Sequence, residues 1–199
     1  QEKSSSAYVF YWGINKEFAA LGLHNILFSD DYKKEFDHLF SKQFPTDDPT
    51  IYFNITSKYC KDDAPEGCEN WFVMVNVPHN KSDNIDYAVA IRKNVIEKIN
   101  SMLKTDIEKY IITESTLSPI DIENQTSSFG GSLYGNSSNN KFAAFLRHAN
   151  FSSSIKNLFL VGGSVHPGGG IPLCLFSAKI ASQLIVTALG RANPHRQAS

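Results

Sequence analysis

A glycine-rich stretch near the end of the chain carries the residue pattern best suited to chemistry. Residues 161–176 read VGGSVHPGGGIPLCLF, with five glycines and two prolines. Glycine lets the backbone approach another group closely, and proline holds that approach rigid. Where the loop enters a helix at Ile171 and Pro172, unpaired N–H groups and the helix dipole favour a negatively charged or electron-rich ligand. Phosphate and a reduced flavin both fit, and a tight loop without a ligand is the alternative. The spacing matches neither a P-loop nor G-x-G-x-x-G.

Two apolar segments must position this loop. Residues 157–161, NLFLV, are continuously apolar, which is typical of a strand covered on both faces in a parallel sheet. Residues 172–189 are apolar on most sides and predict a buried helix that ends at Gly190. Such a strand, loop and helix need parallel neighbours, and no upstream segment supplies them. Since the chain also opens at Gln1 without an initiating Met, we expect it to be a part of something longer.

The first two thirds of the chain predict a sheet with helices. Four segments rich in aromatic and β-branched residues read as strands of a meander: residues 7–12, 25–28, 50–55 and 71–77. Apolar spacing predicts helices over 30–42 and 85–103, a short helix or turn at 107–109, and a further strand at 110–116. The Gly-, Ser- and Asn-rich residues 127–140 mark the main structural boundary. The expected class is α+β, with a mixed, largely antiparallel sheet.

Composition narrows the functional classes. A net charge of −1, from 19 basic and 20 acidic side chains in 199 residues, gives no electrostatic case for nucleic acid. No apolar run reaches the roughly 18 residues of a membrane span, and the N-terminus lacks the regions of a signal peptide. Three cysteines cannot all pair in disulfides within the chain, so a protein in a reducing compartment is the simpler interpretation. A disulfide between Cys60 and Cys68 is the alternative. We expect a cytoplasmic protein without a metal site.

Residues 157–182, NLFLVGGSVHPGGGIPLCLFSAKIAS, resemble the C-terminal signature of bacterial-type phytoene desaturases. These are FAD-dependent carotenoid desaturases, including dehydrosqualene and hydroxycarotenoid desaturases. Other segments resemble the family in the same order, so the similarity covers nearly the whole chain: SAYVFYWGI, LHNILFSDDY, APEGCENWFVMVNVP, SPIDIE and GGSLYG. The resemblance implies a substrate domain interleaved with a Rossmann-like FAD-binding domain. Residues 1–120 are then substrate-binding domain, 121–156 a return segment, and 157–199 the C-terminal strand, loop and helix of the FAD-binding domain.

The same resemblance implies which residues line the flavin of the FAD cofactor. They are Gly162, Gly163, Ser164, Val165, His166, Gly169, Gly170, Ile171 and Pro172. Related flavoproteins often carry an acidic residue where Gly163 stands, so backbone groups must bind the flavin side chain here. The nucleotide fingerprint is expected in an N-terminal FAD-binding part of the same parent protein. The 199-residue chain alone is therefore expected to be inactive.

In such enzymes, desaturation removes a hydride and a proton from adjacent carbons of a polyene. The expected substrate is an apolar carotenoid, which a peripherally associated enzyme collects at a membrane surface. His166 is the candidate acid or base, and a histidine that only shapes the loop is the alternative. Aromatic strand residues alternate between two faces, so half of them can line a polyene tunnel and the others belong to the core. The candidates for substrate contact are Tyr11, Phe53 and Phe72, with Tyr134 of GGSLYG, which can equally belong to a simple interdomain turn.

Two rival functions use the same architecture. One is a flavin-dependent carotenoid isomerase or saturase, which the same loop would serve. The other is a prenyl-lipid binding protein without redox chemistry. The intact HPGGGIP loop argues against the second rival, because a protein that binds no flavin has no need for it.

Overall fold

The structure, a computed structural model, describes residues 3–79, 85–137 and 147–192. The chain divides into two compact units. The sheet unit is Ser5–Leu133, and the loop-helix unit combines Gln1–Ser4 with Tyr134–Ser199. The division falls inside the Gly-, Ser- and Asn-rich residues 127–140. Helices and an antiparallel sheet in one chain confirm the α+β class.

The sheet unit is built on five antiparallel strands in the order β2-β3-β4-β1-β5. Their bounds are β1 Ser6–Ile14, β2 His24–Leu27, β3 Ile51–Asn54, β4 Glu69–Val77 and β5 Ile111–Leu117. Each strand lies within about two residues of its predicted position. The predicted meander holds only for β2, β3 and β4, because β1 pairs with β4 and β5 instead of β2. The reason is burial: β1 is covered at most of its positions, so it takes an inner place in the sheet.

Three α-helices are described in this unit. Helix α1 spans Tyr32–Asp37, where the Asp31 side chain accepts the N–H of Lys34 at 2.9 Å, and a π-helical turn continues it over His38–Lys42. Helix α2 spans Ile85–Leu103, as its apolar spacing predicts.

Helix α3, Pro119–Thr126, is a helix that the sequence prediction missed. Its N-terminus is a capping box, in which the Ser118 hydroxyl accepts the N–H of Asp121 and the Asp121 carboxylate accepts the N–H of Ser118. The hydrogen bonds from Ser118 also lower the pKa of Asp121 below its ordinary value. With Pro119 at the first helical position, this pattern was readable as a helix start.

The core of the sheet unit lies on one face of the sheet. Alternate residues of β1, including Phe10 and Trp12, are buried with Ile91, Val95 and Ile99 of α2. The residues between them, such as Tyr11, point to the opposite face. Tyr11 is 43% exposed, so this opposite face of the sheet is partly open.

A buried carboxylate ties the start of β4 to two loops. Glu69 is 2% exposed. Its Oε1 accepts the N–H of Phe18 at 2.9 Å and pairs with the Lys58 ammonium at 2.5 Å, and its Oε2 accepts the indole N–H of Trp71 at 2.7 Å. A buried charge is tolerated only when it is paired and hydrogen-bonded in this way. Glu69 therefore holds together backbone segments that have no strand pairing of their own.

The loop-helix unit contains α4, Ile171–Ala192, which continues past the predicted end at Gly190. The predicted strand at 157–161 is not formed. Only isolated bridges occur nearby, Phe151 with Phe159 and His148 with Val165, and Val161 is 56% exposed. A strand needs a neighbour along its length, and the described residues offer none here. All three cysteines of the chain are free.

Helix α4 is long and apolar enough to cross a membrane, by length and composition alone. Residues Ile171–Leu189 have a mean hydropathy of 1.6, and 11% of that window is buried. The expectation that no apolar run is long enough was therefore wrong. The expected burial of this helix requires neighbours that the described residues do not supply, so it stays a prediction. The run was missed because polar residues such as Ser177, Lys179 and Gln183 interrupt it.

Replacing the buried carboxylate tests its structural role. We expect Glu69→Gln to lower the free energy of unfolding by about 3 kcal/mol, because Lys58 loses its charge partner inside the protein. Chemical denaturation followed by circular dichroism measures the change. Lys61→Ala is the control, since its pair with Glu17 is exposed on both sides and contributes little. Equal stability of the Glu69 variant and the unmodified protein would contradict this role.

Candidate functional site

The glycine loop is closed at both ends by one short segment. The N–H of Leu160 donates to the carbonyl of Asn150 at 2.9 Å, and the N–H of His166 donates to the carbonyl of His148 at 2.9 Å. The Asn150 side chain repeats the connection, because its Nδ2 donates to the carbonyls of Leu160 at 3.0 Å and His166 at 2.9 Å. Residues 160 and 166, which flank residues 161–165, are therefore held in place by the same short segment.

Ser177 connects this closure to helix α4. It is fully buried, and its Oγ accepts Asn150 Nδ2 at 2.8 Å and the N–H of Gly162 at 3.2 Å. Asn150 is 3% exposed, so its bond to Ser177 is buried, while the bonds to Leu160 and His166 are partly buried. A buried polar network that is satisfied in this way holds one conformation. The second turn of α4 and the first glycine of the loop are thereby fixed to each other.

Two glycines allow the strand-like end of the loop to touch the helix start. A Cβ atom on Gly163 would lie 3.2 Å from Gly169 Cα and 3.4 Å from Cys174 Sγ. A Cβ atom on Gly169 would collide with the ring of Tyr134. A side chain at Gly163 would therefore be crowded and one at Gly169 would be blocked by Tyr134, so glycine lets these two loop positions lie close together.

The outer surface of the loop consists of backbone groups. Gly162 and Gly170 have φ angles of 124° and 103°, which disfavour any other residue, and a Cβ atom at either would meet open space. Within the described residues, no hydrogen bond engages the N–H groups of Gly163, Ser164 and Ile171. These donors lie beside the N-terminus of α4, whose dipole adds positive potential. The loop is thus able to hold an anionic or electron-rich group.

The nine residues predicted to line a cofactor all lie on this loop or at the helix start, with different exposures. Val165 is 9% exposed and bridges His148, so its side chain faces inward. Ile171 is 79% exposed. His166 contributes both its backbone groups to the closure, which is what a loop-shaping role requires, while its imidazole is exposed.

Three residues of the loop-helix unit matter more than the sequence indicated. Asn150 closes the loop, yet it lies in a polar run with no distinguishing signal. Arg147 donates to the carbonyls of Gly163 at 3.0 Å and Tyr134 at 3.2 Å. Ser177 looked like a small packing residue and is a hydrogen-bonding one.

A row of rings crosses the open face of the sheet in the sheet unit. We call Tyr11, Phe72, Tyr52 and His24 the aromatic row. Ring centroids are 5.6 Å apart for Tyr11 and Phe72, 6.3 Å for Phe72 and Tyr52, and 6.1 Å for Tyr52 and His24. The row passes from β1 through β4 and β3 to the edge strand β2.

Phe53, predicted to contact substrate, lies on the other face. It is fully buried and stacks on Trp71 at 5.3 Å, in the core. Its neighbour Tyr52 takes the place in the aromatic row. Alternation along β3 predicts that Tyr52 and Phe53 face opposite sides of the sheet. Because both residues are aromatic, the sequence does not show which of them lies on the open side.

A cleft of about 520 Å³ lies at the Tyr11 end of the aromatic row. Its walls come from β4, β1 and β5 and from the turn at residues 63–65. Gly13 contributes to the floor, and a Cβ atom there would collide with the Thr113 side chain. The row therefore leads from a polar edge at His24 to a recess beside Tyr11.

Comparison with known proteins identifies carotenoid-modifying relatives, although no family model matches the chain. A 1-hydroxycarotenoid 3,4-desaturase of a Flavobacterium species is 57% identical over 186 residues, which is 93% of this chain and 38% of that protein. A 4,4'-diapolycopene oxygenase of a Methylomonas species is 34% identical over 192 residues, 94% of this chain and 38% of the relative. A 4,4'-diaponeurosporene oxygenase of Staphylococcus haemolyticus is 36% identical over 180 residues, 89% of this chain and 36% of the relative.

These homologues support a carotenoid desaturase-type family for this chain, and they confirm the resemblance seen in its motifs. They are named as enzymes that modify carotenoids. The chain spans 36% to 38% of the length of these relatives.

Asn150→Ala tests whether this side chain holds the glycine loop. The substitution removes the side-chain donor to two carbonyls and one of the two donors to the Ser177 hydroxyl, so we expect amide hydrogen exchange over residues 160–170 to accelerate at least tenfold. Exchange in β5 should stay unchanged. Asn124→Ala is the matched control, since Asn124 is exposed on α3. Unchanged exchange in the loop of the Asn150 variant would show that other contacts hold it.

Proposed function

We propose that this chain is part of an FAD-dependent carotenoid desaturase, an oxidoreductase that introduces C=C bonds into an apolar polyene. The observation that carries the proposal is the glycine loop, in which Gly163 and Gly169 lie close together and the N–H groups of Gly163, Ser164 and Ile171 have no hydrogen-bond partner among the described residues. The 57% identical relative, named a desaturase, supports the same reaction.

The residues of the loop fit a flavin. Gly162 and Gly170 leave open space where any other residue would place a Cβ atom, so a flat ring system can approach the backbone. The N–H groups of Gly163, Ser164 and Ile171 are available to electronegative atoms of the ring and of the ribityl chain. The loop carries no acidic side chain, so binding here relies on backbone donors and on the helix dipole.

Bound FAD would accept a hydride from the polyene. Two C–H bonds of adjacent carbons break, one C=C bond forms, and the second hydrogen leaves as a proton. His166 is the proposed proton acceptor in this chain, since its imidazole is exposed on the loop and makes no hydrogen bond within the described residues. The His148 carbonyl accepts the N–H of His166 and Asn150 Nδ2 donates to the carbonyl of His166, so the backbone is held on both sides of the Cα atom.

The aromatic row is the proposed surface for the polyene. Rings packed edge to face form a continuous apolar surface that a long conjugated chain can cover. Tyr11 and Phe72 are therefore proposed substrate contacts, Tyr52 joins them, and Phe53 does not. Tyr134 packs on Gly169 and is proposed to support the loop instead of contacting the polyene.

The exposed apolar surface of α4 is proposed to be covered by the remainder of a longer protein. The relatives have more than half of their length outside the region that matches this chain. An N-terminal FAD-binding part packed on α4 would bury side chains such as Leu175, Val186 and Leu189, which are 67%, 69% and 63% exposed. We propose that the whole enzyme meets the membrane surface peripherally, since its substrate partitions into lipid.

A carotenoid oxygenase is the second candidate function. Two relatives at 34% and 36% identity carry that name. Mass spectrometry of the product separates the two, because a desaturase removes two hydrogens and an oxygenase adds oxygen. We favour the desaturase because its relative is the more similar one.

A charge at the helix start tests the cofactor site. We expect Ile171→Asp to weaken FAD binding at least tenfold in the full-length protein that carries this chain, because a carboxylate there repels the electronegative flavin edge and occupies the free N–H groups. Flavin fluorescence titration measures the affinity. Ile155→Asp is the control, being 58% exposed in the same unit. Equal affinities of the two variants would place the FAD site elsewhere. An unmodified protein that binds no FAD would refute the proposal that FAD is the cofactor.

Removing one ring of the aromatic row tests whether the row binds the substrate. Tyr11→Ala should raise the KM for the carotenoid about tenfold, since it removes apolar area that the polyene would cover. The rate of product formation, followed by the visible absorption of the lengthened polyene, gives KM and kcat. Tyr59→Ala, at an 81% exposed ring outside the row, should leave both unchanged. If the Tyr11 variant behaves like the Tyr59 variant, the polyene binds on another surface.

A further inference from the structure

The Arg147 side chain contacts two separate parts of the glycine loop. Its Nη1 donates to the carbonyl of Gly163 at 3.0 Å and to the carbonyl of Tyr134 at 3.2 Å. A Cβ atom on Gly168 would lie 3.2 Å from Arg147 Nε, so the half-buried guanidinium also packs against this second part. The guanidinium therefore joins the strand-like start of the loop to the residues that lead into α4.

The Gly163 carbonyl that Arg147 binds belongs to the central peptide of a turn. The N–H of Val165 donates to the carbonyl of Gly162 at 3.4 Å, which closes a β-turn with Gly163 and Ser164 at its centre. The peptide bond between these two central residues contains the Gly163 carbonyl and the Ser164 N–H. Turn types I and II differ in the orientation of this central peptide, so the hydrogen bond from Arg147 selects one orientation.

The direction of the Ser164 N–H follows from this hydrogen bond. A trans peptide is planar, and its C=O and N–H point in opposite directions. Since Arg147 holds the Gly163 carbonyl, the Ser164 N–H points away from the guanidinium. Within the described residues, no hydrogen bond engages that N–H. Arg147 thus fixes the direction of one of the donors proposed to face the flavin.

We propose that Arg147 is a positioning residue that aims the Ser164 N–H at the flavin and strengthens this donor. A cation at the carbonyl polarises the peptide, and hydrogen bonds in a chain strengthen one another. Hydride transfer adds negative charge to the flavin ring, so a stronger donor stabilises reduced FAD more than oxidised FAD. Arg147 then raises the reduction potential of bound FAD, which favours hydride transfer from the polyene. This inference rests on the proposed function, in which the glycine loop binds FAD.

Two substitutions separate the charge of Arg147 from its hydrogen bond. In the full-length protein that contains this chain, Arg147→Gln keeps an N–H donor and removes the charge, whereas Arg147→Lys keeps both. Anaerobic titrations give the dissociation constants of oxidised and reduced FAD, and the ratio of the two gives the change in reduction potential. We expect Arg147→Gln to weaken the binding of reduced FAD about tenfold more than that of oxidised FAD, which lowers the two-electron potential by about 30 mV. Arg147→Lys should keep most of the potential.

Lys156→Met is the matched control, because it removes an exposed positive charge from the same unit, and no described contact joins Lys156 to the glycine loop. It should leave the ratio of the two constants unchanged. A lower potential in Arg147→Gln, with the potential retained in Arg147→Lys, supports the inference.

Three results would count against the role of Arg147. Unchanged affinities in Arg147→Gln overturn it, and so does an equal loss of affinity for oxidised and reduced FAD, because Arg147 would then support the loop without acting on the cofactor. A fall in potential of equal size in Arg147→Gln and Arg147→Lys also overturns it, since the charge would have no part in the effect. These results leave FAD as the cofactor, whereas an unmodified protein that binds no FAD refutes both the inference and the proposed cofactor.

Discussion

The hydrogen bonds that the Asn150 side chain donates to Leu160, His166 and Ser177 are the constraint on which the candidate cofactor site depends. One amide group satisfies the carbonyls at both ends of the glycine loop and reaches the helix through a serine hydroxyl. Without this connection, a loop so rich in glycine would have a large conformational entropy to lose on binding. With it, the free N–H groups are already in place before a ligand arrives. Preorganised backbone donors of this kind bind an electronegative group at low cost.

The two units offer the two kinds of surface that polyene oxidation needs. The loop-helix unit presents backbone N–H groups and a helix dipole, which suit an electronegative cofactor. The sheet unit presents rings in contact across four strands, which suit a flat apolar chain. Each feature is ordinary alone, and their presence in one chain with carotenoid-modifying relatives favours the proposed desaturase.

Much of the fold was predictable because its signals are local. The apolar spacing of residues 85–103 gave helix α2 with its observed ends, and the strands followed from aromatic and β-branched runs. Helix α3 was predictable too, from Ser118, Pro119 and Asp121, and was missed. Other features depend on long-range contacts that no local pattern encodes. The place of β1 between β4 and β5, the choice of Tyr52 over Phe53 for the open face, and the burial of Asn150 are of this kind. The segment 157–161 has the composition of a strand, yet no described neighbour pairs along it.

The most direct test of the account is to mix the FAD-loaded full-length protein with a carotenoid in the absence of oxygen and record the visible spectrum over time. The account predicts that flavin absorption bleaches in step with a shift of the carotenoid absorption to longer wavelength, as hydrogens pass from polyene to cofactor. A carotenoid that binds while the flavin stays oxidised and the polyene spectrum stays unchanged would contradict it. The glycine loop would then hold its ligand for a purpose other than desaturation.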